Sequence, residues 1–473
     1  MAKNKKNKNK PGFFSVVITL IFIAASIFGA YKVLTYVESN PVPSEEITSE
    51  SNDSAVTTPD PSSGKVQSNA VTEQIASLKS DISADVLSYC ANNFEEKDLQ
   101  LIVDAIKDET YSEETWYTAT GYSLYALSDL ASGAVDNGSV INKGSNGKDS
   151  FELVFAGDVC FDESIPNMQK YLSTGKLTDC ISSDVLAIMN DADVMLVNNE
   201  FTFTEETEAQ PKTYNFKSPK KNVSLYTEMG VDIVSLANNH SFDFGDKSFT
   251  DTADTLSESG IAYTGAGLNA EEAAKPVYFI VNGRKIAYLA VCDTVYPKAT
   301  AATASGAGIF SLRNMDAVTE AIKAADAVSD YVMVYTHWGH ENSKWFASEP
   351  TVCDQSGWGR TMIDAGADAV IGSHPHVLQG MEYHDGKIIA YSLGNFWFNG
   401  KTMDTGLLRI RFSNNGEMQC SFAPCVQSDG TVTAITDEAA KRELFTSIET
   451  HSGGFVSIDN DGIITAVKDT KGM

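Results

Sequence analysis

Basic residues are scarce in this chain relative to acidic ones. Its 473 residues include 35 lysines and arginines but 63 aspartates and glutamates, so the formal net charge at pH 7 is −28. Proteins that bind nucleic acids present basic surfaces, and a chain this acidic is therefore not expected to have a nucleic-acid partner. Hydrophobic residues make up 42% of the sequence, which is enough for a folded core.

Cysteines in metal-binding or disulfide patterns are also lacking. The seven cysteines are scattered, odd in number and without the paired spacing of a zinc ribbon. The sequence therefore predicts no disulfide framework, and it leaves open whether an exported protein forms one or two bridges.

Only one uncharged run is long enough to cross a membrane. It extends from Phe13 to Tyr31 and follows a tail that contains five lysines. We predict a cytoplasmic basic tail at 1–12 and an uncleaved transmembrane signal-anchor at 13–37, which makes the chain a single-pass protein of the cell membrane with its bulk outside the cytoplasm. A cleaved signal peptide is the alternative, but bulky Phe28 does not suit a cleavage site.

The rest of the chain divides into three segments. Residues 38–69 are rich in Ser, Thr, Pro and Glu, and this composition predicts a disordered linker. Apolar residues spaced three and four apart predict a small helical module at 70–145. Between 150 and 470, short β-rich runs alternate with helical ones, which is typical of an α/β domain.

Polar residues suited to chemistry follow the strand-like runs of this domain. In "ADAVIGSHPHVLQG" the run ends just before His374 and His376, and Pro375 between them favours an extended His374. In open α/β sheets, ligands bind at the carboxyl ends of the strands. Other runs end in the same way. Together the strand ends supply Asp158, Asn198, Glu200, Asn239, His240, Asp243, His337, Glu341, His374, His376 and Asn395.

Six of these residues are of types that bind transition metals. They are Asp158, Glu200, Asn239, His337, His374 and His376. Imidazole and carboxylate together suit divalent Mn, Fe, Co or Zn. Two such ions ~3.5–4 Å apart, bridged by a carboxylate, clamp the attacking and leaving oxygens of a hydrolytic displacement. Any one of the six could instead cap a strand, but six at successive strand ends favour a metal site.

The ordered motifs resemble one known family. They are Gly157-Asp158, Asn198-x-Glu200, "KTYNFK", "ANNHSFDFG", "HWGHE", "GSHPHVLQ" and "YSLGNF". Over about residues 151–398 the chain resembles the CapA family of bacterial poly-γ-glutamate capsule-synthesis proteins, which is similar to the calcineurin-like metallophosphoesterases. The resemblance implies a two-sheet α/β/β/α sandwich, with the metal site where strand-end loops converge.

The resemblance also implies a role for each ligand. Asp158 and His376 would bind one metal, and Glu200 would bridge to a second. The second metal would be held by Asn239, His337 and His374.

Other residues near the site receive auxiliary roles from the same resemblance. His240 would protonate the leaving group or stabilise the developing charge, and Asp243 would either orient His240 or cap a helix. Three residues are expected to orient the ligands by hydrogen bonds. They are Asn198, Glu341 and Asn395. Independently of the resemblance, Lys212 and Lys217 are expected to bind an anionic substrate, because their charge would offset the repulsion between it and this acidic chain.

Two positions depart from the family pattern. Cys160 stands where metallophosphoesterases usually have a histidine, and Glu163 stands where many CapA-like proteins have an arginine. The first metal site is therefore expected to have fewer ligands unless Asp162 or Cys160 contributes one. Whether one metal or two bind is left open.

The function implied is that of a membrane-anchored, extracytoplasmic, metal-dependent hydrolase acting in poly-γ-glutamate synthesis or export. No G-x-x-x-x-G-K-[ST] loop is present, so the chain is not expected to be the ATP-driven polymerase. Its expected partners are the membrane, an anionic envelope polymer and other capsule-synthesis membrane proteins. The alternative is a non-catalytic, metal-containing factor that binds the polymer during export.

Overall fold

The computed structural model of the protein describes residues 69–293, 300–349 and 352–471. The predicted basic tail (1–12), signal-anchor (13–37) and linker (38–69, apart from Asn69) lie outside these residues. Within the described ranges, no helix has both the length and the apolar character needed to span a membrane.

Five helices occupy the beginning of the described chain. They are α1 (Ala70–Leu78), α2 (Ala84–Asn93), α3 (Glu96–Lys107), α4 (Glu114–Thr120) and α5 (Leu124–Ser132). Asn69, Ser83 and Ser123 cap three of them by accepting hydrogen bonds from backbone N–H groups of the first turn. Their apolar faces meet in a separate small core around Trp116. The helical part ends at Ser132, and the last residues of the segment predicted as helical, Val140–Gly144, form a strand of the larger domain.

The strands that follow build two large sheets. They are β1 (Val140–Gly144), β2 (Ser150–Val159), β3 (Val194–Asn199), β4 (Thr202–Phe203), β5 (Lys217–Ser218), β6 (Ile233–Ser235), β7 (Ala262–Thr264), β8 (Ala266–Gly267), β9 (Val277–Val281), β10 (Arg284–Cys292), β11 (Gly308–Ile309), β12 (Tyr331–His337), β13 (Ala369–Ser373), β14 (Met381–His384), β15 (Lys387–Ala390), β16 (Asn395–Trp397), β17 (Met403–Ser413), β18 (Met418–Ser428), β19 (Thr431–Ala434), β20 (Val456–Ile458) and β21 (Ile464–Ala466). One sheet has the order β1-β9-β10-β12-β13-β15-β14, and the other has the order β19-β18-β17-β2-β3-β6-β7 with β16 paired to β2. The predicted mixed α/β class is confirmed.

The two sheets pack face to face, and helices cover their outer faces. Between the sheets, the Tyr335 hydroxyl donates to the Ala156 carbonyl (2.8 Å), and the rings of Phe155 and Tyr288 lie 6.4 Å apart. The helices of this domain are α6 (Pro166–Thr174), α7 (Ser183–Asp191), α8 (Ser224–Glu228), α9 (Asp246–Glu258), α10 (Ala270–Ala273), α11 (Met315–Asp326), α12 (Gln355–Asp364) and α13 (Glu438–His451). Helices α11 and α12 pack on the sheet that contains β12, whereas α7 and α9 belong to the core of the other sheet.

The helical module is joined to the α/β domain by buried charges at the start of β10. Arg284, whose side chain is only 4% exposed, forms ion pairs with Glu114 of α4 and with Asp330 (3.3 Å). Lys285 pairs with Asp129 of α5 at 2.7 Å. Glu114 is 55% exposed, whereas the other four side chains of these ion pairs are largely removed from water, and losing the partner of a buried charge is costly.

Replacing Arg284 with methionine is expected to lower the free energy of unfolding by about 3 kcal/mol, because Asp330, whose side chain is only 10% exposed, would lose its cation. Arg411→Met is the matched control. Arg411 is 53% exposed and lies 3.7 Å from Glu152, so its loss should cost less than about 1 kcal/mol. Urea unfolding of the two variants makes the comparison, and equal losses would contradict the account of this interface.

Candidate metal centre

The strand register brings the predicted site residues together at the carboxyl ends of the strands of the two sheets. Asp158 of β2 lies opposite Asn198 of β3 and Asn395 of β16. His337 of β12 lies opposite Ser373 of β13. These strand pairs are parallel, so their carboxyl ends open on the same side, where open α/β sheets bind ligands.

Close backbone approaches explain two glycines beside the site. A Cβ atom on Gly157 would lie 1.8 Å from the carbonyl oxygen of Gly394, which accepts a hydrogen bond from the Asp158 amide (2.9 Å). A Cβ atom on Gly372 would lie 2.0 Å from the carbonyl oxygen of Tyr391. No side chain fits at either position, so the two segments can pass close enough to align Asp158 with the His374 loop.

The backbone of the two-histidine loop differs from the sequence expectation. Pro375 was expected to hold His374 extended, but His374 has φ +95° and His376 has φ +61°. Both values lie in the region that L-residues rarely adopt, so each costs on the order of 1–3 kcal/mol. Strain of this kind persists where the surrounding structure over-determines it, and here it turns both rings toward the Asp158 and His337 side chains.

Two overlapping groups of side chains have the spacing of metal ligands. One group contains Glu200, His337 and His374, and the other contains Asp158, Glu200 and His376. In each group one ligand atom from every residue lies within 4.8 Å of the others. Asn239 adjoins the first group, since its Oδ1 is 2.6 Å from His337 Nε2. The structure therefore brings all six predicted ligands together, with Glu200 common to both groups.

Glu200 provides the physical test of whether a cation fits. Both of its carboxylate oxygens are buried and have no hydrogen-bond partner among the described residues. The nearest ring nitrogens are His337 Nε2 at 3.6 Å and His240 Nε2 at 3.9 Å. Burial, and after it the neighbouring Asp158 charge, raises the pKa of Glu200 well above its usual value. A buried carboxylate with no donor is costly, and a divalent cation held by these groups would supply the missing partner.

Asp158 and His376 form a complementary pair at the other side of Glu200. Burial alone would raise the pKa of Asp158, but the His376 imidazole and the Asn198 amide outweigh it and lower that pKa. Burial would lower the pKa of His376, yet Asp158 at 3.3 Å raises it. Each residue thus favours the charged form of the other.

His240 is held by a carboxylate on the side of its ring that faces away from Glu200. Its Nδ1 lies 2.8 Å from Asp243 Oδ2, while its Nε2 faces Glu200. Burial lowers the pKa of His240 although the Asp243 charge opposes this, so the neutral imidazole is favoured. The ammonium of Lys212 is buried against Asp243 and lies 3.4 Å from His240 Nδ1. Asp243 therefore orients His240, and it also accepts a hydrogen bond from the Phe216 amide (2.6 Å).

The residues predicted to support the ligands or the substrate differ in what they contact. Asn198 donates from Nδ2 to Asp158 (2.8 Å), and Asn395 Oδ1 is 2.8 Å from His376 Nδ1, so each contacts a predicted ligand. Glu341 is exposed at the rim of the cleft. The Lys217 ammonium donates to the Glu206 carbonyl (2.6 Å), and its role in substrate binding stays a prediction.

Two residues of the site were not singled out from the sequence. Asn238 donates to Asn198 Oδ1 (3.0 Å) and accepts from the His240 amide (2.9 Å), which ties the two halves of the site together. Ser373 Oγ lies 3.2 Å from His337 Nδ1 and can fix the orientation of that ring. Asn238 could have been predicted from the Asn-Asn pair that precedes His240, and Ser373 from its position directly before His374.

The positions that depart from the family pattern lie outside both ligand groups. Cys160 is buried in the core, and burial raises the pKa of its thiol well above the usual value. Asp162 accepts a hydrogen bond from the Lys217 amide (3.0 Å), and Glu163 lies 3.2 Å from Lys221. All seven cysteines fall within the described residues and are buried, and none of them forms a disulfide.

The two groups of candidate metal ligands open onto a cleft of about 710 Å³. Its walls combine polar site residues with aromatic ones, and Phe216 and Phe398 meet edge to face at 5.5 Å. Lys401 lines the cleft, is exposed and has no ion pair among the described residues. The cleft can therefore admit a sizeable anionic group beside the ligands.

Comparison with known proteins places these residues in a recognised family segment. The model of the family described as bacterial capsule synthesis protein PGA_cap matches residues 152–400, which include all six predicted ligands. Capsule biosynthesis protein CapA of Bacillus anthracis is 32% identical over 259 residues, covering 53% of this chain and 61% of that protein. PGA biosynthesis protein CapA of Bacillus subtilis (strain 168) is 28% identical over 331 residues, covering 67% and 82%. A probable polyglutamine synthesis accessory protein of Mycobacterium tuberculosis is 29% identical over 225 residues, covering 45% and 58%.

Proposed function

This chain belongs to the bacterial capsule synthesis protein family PGA_cap, and from that premise we propose that it is a metal-dependent hydrolase acting on an anionic envelope polymer of the poly-γ-glutamate type. Two of its relatives are named for capsule biosynthesis and for PGA biosynthesis, which supports the same process here. We also propose that the predicted signal-anchor holds the catalytic domain at the outer face of the cell membrane.

The observation that carries the proposal is the shared, unsatisfied carboxylate of Glu200. Its two oxygens lie between an Asp158/His376 group and a His337/His374 group, which is the arrangement expected of a bridging ligand. The residues present suit one or two divalent Mn, Fe, Co or Zn ions. When bound, such ions would polarise the scissile group and activate water.

The protein's own side chains supply the proton chemistry and the positioning. His240 donates a hydrogen bond from Nδ1 to Asp243 and presents Nε2 toward Glu200. A proton taken up at Nε2, with Asp243 stabilising the resulting imidazolium, would be placed to pass to a leaving group in the cleft. Lys212 forms an ion pair with the Asp243 carboxylate and holds it in place. Lys401, which has no ion pair among the described residues, is better placed than Lys212 to receive an anionic group of the substrate.

Chelation and metal restoration test this proposal. The purified full chain is expected to shorten poly-γ-glutamate or to cleave an aryl phosphoester, to lose that activity on chelation, and to regain it with Mn²⁺ or Zn²⁺. The His374→Ala/His376→Ala double variant should not regain it. A metal-loaded parent that binds the polymer but cleaves neither substrate would contradict the hydrolase and favour the non-catalytic export factor.

A further inference from the structure

A second cavity continues the cleft beyond Met403. It has a volume of about 370 Å³, and Met403 lines both spaces. Asn395, which contacts the metal ligand His376, also donates to Met403 Sδ at 3.5 Å. Met403 therefore borders both spaces and contacts a residue of the site, and methionine adapts its shape readily.

The same cavity is connected to the metal site along the chain. Val377 and Leu378, which line it, follow His376 directly. Its far wall is one face of α13, formed by Leu444, Ser447, Ile448 and His451. A ligand that extended from the cleft past Met403 would thus remain in contact with well-packed elements on both sides.

We propose that this cavity is a distal subsite that holds a neighbouring segment of the polymer whose bond lies at the metal centre. The inference rests on the proposed function and specifies its substrate: an extended chain that carries carboxylates on an aliphatic and amide backbone, as poly-γ-glutamate does. A short or monomeric substrate would use the cleft alone.

The chemistry of the lining matches such a chain. Leu378, Leu444 and Ile448 offer an apolar surface to the methylene groups of the backbone. Lys344 lines the cavity, is exposed and has no ion pair among the described residues. Asp404 is also present, so the polymer carboxylates are expected to lie on the Lys344 side.

Each of the two spaces is lined by one lysine that has no ion pair among the described residues. Lys401 lines the cleft and Lys344 lines the second cavity, with Met403 between the two spaces. In a chain with a net charge of −28, such lysines provide local attraction for a polyanion that the rest of the surface would repel. Trp345, 56% exposed and 4.9 Å from the His451 ring, extends the apolar surface beyond the cavity.

Filling the cavity tests the inference. Half-buried Ser447 faces the cavity, and Thr446 on the same helix is exposed outside it, so Ser447→Trp and Thr446→Trp form a matched pair. Calorimetry on the full chain would compare a γ-glutamyl dimer with long poly-γ-glutamate. The parent should bind the long polymer about tenfold more tightly than the dimer, and Ser447→Trp should remove that advantage without changing dimer binding. Thr446→Trp should behave as the parent does.

A charge variant keeps the test decisive if the tryptophan variant does not fold. Lys344→Gln should weaken long-polymer binding about threefold, whereas Lys323→Gln, an exposed lysine on α11, should not. The inference would be overturned if Ser447→Trp and Lys344→Gln both bind the long polymer as the parent does, or if they weaken dimer and polymer binding equally. It would also be overturned if the parent binds a polyphosphate more tightly than polyglutamate. The readout is binding, so a failure of hydrolysis would refute the proposed function and leave this comparison intact.

Discussion

Replacing His240 with alanine is expected to lower kcat by about 10²- to 10⁴-fold while the bound metal stays unchanged. The imidazole Nε2 is the group placed to give a proton to the leaving group, yet His240 is not part of either ligand group. The fold should tolerate the change, because Asp243 keeps its ion pair with Lys212 and its hydrogen bond from the Phe216 amide. Steady-state kinetics and elemental analysis of the same preparation would measure both quantities.

His340→Ala is the control for this prediction. His340 is a nearby histidine whose side chain is 49% exposed and lies 4.0 Å from Glu349, so its removal should leave kcat and metal content unaltered. Loss of metal together with activity in the His240 variant would instead make His240 a ligand. A His240 variant with the parent's turnover would remove the general-acid role.

Replacing Glu200 with glutamine is expected to have opposite effects with and without metal. In metal-free protein the amide should raise the free energy of unfolding by about 1–3 kcal/mol, because it removes a buried charge that no donor satisfies. In metal-loaded protein the same change should lower stability, because binding to the folded state contributes RT ln(1 + [L]/Kd) and the bridging ligand is lost. Urea unfolding with chelator and with added metal would show the reversal.

Glu271→Gln is the control. It replaces the same carboxylate with the same amide, but Glu271 is exposed on α10, away from the site. It should leave stability nearly constant in both conditions. A Glu200 variant that is destabilised in chelator as much as in metal would mean that the carboxylate has a structural partner rather than a cation.

The positions of the ligands were predictable because they follow from short-range rules. Apolar runs of strand length end at a turn residue, and parallel strands expose their carboxyl ends on one edge, so Asp158, His337 and His374 could be expected to converge. The structure brings these residues together as that rule requires. The α/β fold class was predictable as well, because β-rich and helical runs alternate along the sequence.

Features that depend on contacts distant in sequence were not predictable. The φ of His374 is set by segments that pack around the loop, which overrode the local preference imposed by Pro375. The ion pair between Lys212 and Asp243 joins residues far apart in the sequence, and no sequence pattern indicated it; the predicted role of Lys212 in substrate binding stays a prediction, and Lys212 lines the cleft. Likewise, the end of the helical segment became strand β1 because β9 offers an edge to pair with.

The most direct measurement of the central claim is the metal content of the purified full chain and its Glu200→Gln variant after identical dialysis. The account predicts about one to two equivalents of a divalent transition metal in the parent and clearly less in the variant, since Glu200 is the ligand common to both groups. Equal metal in the two proteins, or none in the parent, would contradict the shared metal centre and the hydrolytic function proposed from it.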